Sequence, residues 1–131
     1  MMRRAFALTV LMLGLGVAAH ADILAAGSLY GGPRQKMATC YLFNAGRRPV
    51  TIVTNQIFSF GEPATSLRLD SDTCGLTLAT NSTCVIAAEI SNNTAYTCKF
   101  VLSPSAANVR GVFELRAGGG VSPPLQSVDL R

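Results

Sequence analysis

Four cysteines, Cys40, Cys74, Cys84 and Cys98, are the residues of this sequence best equipped for chemistry. In a chain of this size they form either a disulfide framework, with three possible pairings, or a structural zinc site. Zinc sites draw on closely spaced ligand pairs such as C-x2-C, whereas the successive separations here are 34, 10 and 14 residues. Disulfides are therefore expected, with no metal and no cofactor. Asp70-Ser71-Asp72 places two carboxylates on one short segment. They could hold calcium or act as an acid pair, but without a third carboxylate or a spaced Glu they read as a solvated turn before Cys74. The single histidine, His20, falls in a segment expected to be removed. The rest of the chain then has no imidazole for a Ser-His-Asp or Cys-His device, and an enzyme is not expected.

Two further groups could bind rather than react. Arg47-Arg48 at a turn could grip an acidic partner or a glycan, or serve only as a charged, solubilising tip. Phe58 and Phe60, with Tyr30, could make an exposed docking patch; in a chain without Trp they are expected instead to fill the core. Gly118-Gly119-Gly120 lacks the following Lys and helix of a phosphate loop and reads as a flexible turn.

Residues 1–21 have the layout of a secretory signal peptide: Arg3 and Arg4, an uncharged apolar run, and Ala19-His20-Ala21 as a small-x-small cleavage site. Removing 21 of the 131 residues leaves 110, enough for one domain over 22–131. Nine basic residues against seven acidic ones give that domain a charge of +2, too little and too scattered to predict nucleic-acid binding. No later apolar run approaches the ~18 residues needed to span a bilayer. Arginine outnumbers lysine nine to two, which with abundant Ala and Gly points to a GC-rich bacterial genome. The glycosylation patterns at Asn81 and Asn92 would then be idle.

After residue 21, short segments rich in β-branched and aromatic residues alternate with turn residues about every ten positions, the pattern of an all-β sandwich. Strands are expected over 23–30, 37–43, 49–54, 56–60, 66–70, 83–90, 96–102, 109–116 and 125–130. Val50 and Ile52 share one face, Phe58 and Phe60 another, and Leu67 and Leu69 a third. Tyr96, Cys98, Phe100 and Leu102 alternate with Thr97, Lys99 and Val101, the mark of a half-buried antiparallel strand. Strand parity turns Cys40 and Cys98 inward and so pairs them, leaving Cys74 to close a local clasp with Cys84. Chain entropy assigns about 4 kcal/mol to the longer loop and about 2.5 to 3 kcal/mol to the shorter.

Tyr96, two residues before Cys98 in Asn93-Thr94-Ala95-Tyr96-Thr97-Cys98, resembles the tyrosine corner of immunoglobulin-like sandwiches, and the 58-residue spacing of Cys40 and Cys98 resembles their inter-sheet bridge. Asn44-Ala45-Gly46-Arg47-Arg48-Pro49-Val50-Thr51-Ile52 and the segment from Cys74-Gly75 to Cys84-Val85-Ile86 are similar to bacterial immunoglobulin-like domains of the choice-of-anchor and ASH type. The resemblance implies a sandwich of seven to nine strands used for binding or structure. The expected function is an exported, non-enzymatic binding module, periplasmic or secreted, with a protein or glycan partner in the cell envelope. The alternative is a structural subunit of a fimbria-like surface assembly. Arg47, Arg48, Phe58 and Phe60 are the candidate binding residues.

Overall fold

Tyr96, Cys98, Phe100 and Leu102 are buried and the residues between them half-buried, so every second side chain of β9 (Ala95–Ser103) enters the interior. That period of two is what a strand with one face in a core must show. In the computed structural model, which describes residues 20–91, 93–118 and 122–131, the long strands β3 (Met37–Asn44), β8 (Thr83–Glu89) and β10 (Val109–Arg116) also turn alternate residues inward. With β1 (Asp22–Ala25), β4 (Val50–Ser59) and β11 (Pro124–Leu130) they make seven strands of four residues or more. Four two-residue pieces complete the set: β2 (Leu29–Tyr30), β5 (Thr65–Ser66), β6 (Ser71–Asp72) and β7 (Thr77–Leu78). The described chain is all-β. Residues 1–19 of the expected signal segment 1–21, Asn92, and Gly119 and Gly120 of the triple glycine lie outside the described residues.

The strands form two antiparallel sheets. One runs β1-β9-β4-β5, with β2 also on β9 and β7 also on β4; the other runs β11-β10-β3-β8-β6. Tyr96, Phe100 and Phe113 fill the space between them, with Leu42, Ile57 and Ile86, so the core needs no Trp. Burying each of these side chains contributes roughly 1.5 to 3 kcal/mol. The disulfide between Cys40 on β3 and Cys98 on β9 joins the two sheets, with Cα atoms 6.6 Å apart. The second bridge, Cys74 to Cys84, ties the β6–β7 turn to the start of β8 across 4.7 Å. Both are the expected pairings, the first from strand parity and the second as the pair it leaves. Immunoglobulin domains also place their bridge cysteines on opposite sheets, and keep the strand after the second cysteine beside it. Here β10 crosses to the other sheet and pairs with β3, and β1 lies beside β9.

The observed strands depart from the expected ones in three places. Segment 23–30 is split into β1 and β2, both on β9, with Ala26, Gly27 and Ser28 between them. Segment 66–70 is no strand: β5 ends at Ser66, the Leu67 amide donates to Ile57 of one sheet, and the Asp70 amide donates to Ala87 of the other. Leu67 and Leu69 alternate because the chain there crosses the open side of the sandwich and both plug its rim.

The third difference reverses a prediction. Segments 49–54 and 56–60 are one strand, β4, whose pairing to β9 skips Val53: Ile52 lies opposite Leu102 and Thr54 opposite Val101. This one-residue bulge exchanges the two faces of everything that follows. Val50 and Ile52 point inward before it and Ile57 after it, opposite Cys98. Phe58 and Phe60 do share a face, as expected, but it is the outer one. Phe60 is 71% exposed, Tyr30 56% exposed and Phe58 half-buried, so the expectation that they fill the core is wrong.

Candidate functional site

A candidate surface lies at each end of β4. At its start, Asn44 closes β3 with a fully buried side chain that uses both amide hydrogens and its oxygen: Oδ1 accepts from the Gly46 amide at 2.9 Å, and Nδ2 donates to the Arg48 carbonyl at 2.9 Å and the Leu78 carbonyl at 3.1 Å. Its backbone N–H donates to Ser82 and its carbonyl accepts from Asn81. The Ala45 amide donates to Asn108, and the Thr80 hydroxyl donates to Gly46. The turn carrying Arg47 and Arg48 is thereby fastened to two neighbouring loops.

Both arginines are exposed, and among the described residues neither guanidinium has a hydrogen-bond or ion-pair partner. Two other arginines are engaged: Arg110 donates to the Ala107 and Val109 carbonyls, and Arg116 pairs with Glu114 at 2.6 Å over the Tyr41 ring. Between this turn and the β9–β10 loop (104–108) lies a cleft of about 440 Å³, lined on the loop side by Pro104, Ser105 and Asn108 and on the turn side by Pro49 and Val50 as well as the arginines.

At the far end of β4 an aromatic surface covers the outside of the sheet. Tyr30 lies opposite Ala95 on one side, and the Phe60 amide donates to the Ala95 carbonyl on the other, so the two rings flank one residue of β9. Phe58, opposite Thr97, is one row along. The Tyr30 hydroxyl donates to the Asn93 carbonyl at 3.1 Å and its backbone carbonyl accepts from Gln126, fixing its place while the ring stays open to solvent. The ten residues of β4 separate this patch from Arg47 and Arg48, about 30 Å at roughly 3.3 Å per residue. The four candidate binding residues therefore form two surfaces.

A second opening, of about 670 Å³, lies between β1 and β10 beyond the end of β11. Ala25 exchanges both backbone hydrogen bonds with Arg131, so the alternation of a strand turns the N–H and C=O of Ile23 the same way, where no described strand lies. On the facing side β11 reaches β10 only as far as Gly111. The Asp22 carboxylate closes one end by accepting from the Ala106 amide at 2.8 Å. That bond, then the Ser105 hydroxyl and the nearby His20, hold its carboxyl below the usual carboxylate range.

Asp70 and Asp72 are engaged separately, by different partners. Asp70 accepts from the Glu89 amide at 2.6 Å; Asp72 accepts from the Cys74 amide and from Asn55 Nδ2, each at 2.8 Å. Among the described residues no group of three or more His, Cys, Asp or Glu could hold a metal ion, and no helix is long and apolar enough to cross a membrane. Sequence reasoning missed Asn44 as the anchor of the arginine turn and missed Ser105 and Asn108 as its opposite wall. The Asn44-Ala45-Gly46 turn was visible in the sequence, but the partners of Asn44 lie up to 34 residues away. No family model, curated protein or solved structure matches the chain.

Proposed function

We propose that the protein is an exported, non-enzymatic binding module, released by cleavage after Ala21 and working in the periplasm or outside the cell on a protein or glycan of the envelope. The observation that carries this reading is the outward aromatic surface of Tyr30, Phe58 and Phe60. Large rings left in water cost burial that the core could have provided, and contiguous exposed aromatics of this kind are typical of interfaces. A bulge that re-aims side chains is itself a common device at functional surfaces. Two disulfides suit an oxidising compartment, and the resemblance to choice-of-anchor and ASH-type domains agrees with a role in binding.

The test is capture from a native envelope fraction with the oxidised protein and with a Tyr30→Ser/Phe60→Ser variant. A partner retained by the first and lost by the second supports the reading; equal capture by both, or turnover found in broad activity profiling, overturns it. The opening beside Ile23 favours a second reading, a subunit that accepts a strand from another copy at a free edge. Size measurement across concentration separates the two: ladders that resist mild denaturant support the assembly, and a concentration-independent monomer rules it out.

A further inference from the structure

We infer that the cleft between the arginine turn and the β9–β10 loop is a binding site for a carboxylate-bearing, acidic peptide. Arg47 and Arg48 line it, their guanidinium groups have no partner among the described residues, and no Asp or Glu lines it. An arginine fork meets a carboxylate with two parallel charge-assisted hydrogen bonds. Asn108 adds an amide group on the facing wall, where the Ser105 hydroxyl is already engaged by Asp22 and the Ala107 amide, while Pro49 and Pro104 offer apolar surface to the aliphatic stems of Glu side chains. No aromatic ring lines the cleft to stack on a sugar, which favours a peptide over an anionic glycan.

The turn is also fixed before any ligand arrives. Asn44, Thr80 and Asn108 hold the backbone at Ala45, Gly46 and Arg48, so the loop itself loses little freedom on binding. The volume of about 440 Å³ lies within the range of small-ligand sites. The inference does not depend on the aromatic surface at the other end of β4.

The experiment follows backbone amide shifts of the oxidised, isotope-labelled protein on adding an oligoglutamate peptide, with oligoglutamine, a sulfated oligosaccharide and inorganic phosphate as parallel probes. Oligoglutamate should shift residues 45–48 and 105–108 saturably, and oligoglutamine should not. Arg47→Ala/Arg48→Ala should weaken binding about tenfold or more, the loss expected for a charge-assisted pair. Asn108→Asp, which adds a negative charge to the wall, should weaken it too, whereas Arg68→Ala on the β5–β6 connection should leave it unchanged. Because Arg47 and Arg48 are exposed, an unchanged melting curve will show that their variant is folded. The inference is overturned if these amides do not move, if oligoglutamine or phosphate alone binds as well, if only the sulfated sugar binds, or if Arg68→Ala weakens binding equally.

Discussion

Asn44 shows how one side chain can set the geometry of a surface it does not itself form. Replacing it with Ala would leave the Gly46 amide and the Arg48 and Leu78 carbonyls without their partner. Urea denaturation of Asn44→Ala should therefore show a loss of roughly 2 to 3 kcal/mol, the scale of buried polar groups left unsatisfied. Asp22 makes a pH prediction. Its carboxyl is held low in the folded chain, chiefly by the Ala106 amide, so its contribution is complete above the usual carboxylate range and lost as pH falls through the lowered value. Titration of the Ala106 amide signal should show its midpoint below that range, and Asp22→Ala should abolish the transition. The sequence announced Asn44 only as part of a turn, because whether an amide is buried depends on which distant carbonyls surround it.

At the scale of elements, the bulge at Val53 turns Phe60 outward, while the unbroken alternation of β9 keeps Phe100 inward. Phe60 faces solvent and Phe100 is fully buried. Phe60→Ser should thus change stability by no more than ~0.5 kcal/mol, whereas Phe100→Ala should cost roughly 3 to 5 kcal/mol, both read from denaturant midpoints. Equal costs would mean that β4 keeps one register throughout. Where β3 and β10 pair, a Cβ built on Gly111 would lie 2.9 Å from both the Tyr41 carbonyl oxygen and the Leu42 side chain. Gly111→Ala should destabilise by about 1 to 3 kcal/mol through overpacking. Strands β8, β9 and β10 were legible because their alternation is unbroken. The second half of β4 was misread because a single inserted residue leaves no mark on composition.

For the whole molecule, the two bridges act over different lengths of chain. Cys40 and Cys98 close 58 residues, Cys74 and Cys84 only 10. Replacing the first pair by Ala should lower stability by about 4 kcal/mol and the second by about 2.5 to 3 kcal/mol, measured by thermal or urea unfolding, against a usual total of ~5 to 15 kcal/mol. A larger effect from the short loop would contradict the placement of the long bridge between the sheets. Legible in the sequence alone is what is local: the period of two and the inward parity of Cys40 and Cys98, and hence an all-β chain in which the two remaining cysteines pair with each other. What only the tertiary structure decided is where distant segments meet: the crossing of β10 to the β3 sheet, the plugging of the rim by Leu67 and Leu69, the outward aromatics, and the cleft walled by residues near 47 and 108. Alternation follows from neighbouring residues sharing one backbone, whereas register, closure and concavity arise only when strands far apart in the chain are pressed against a common core.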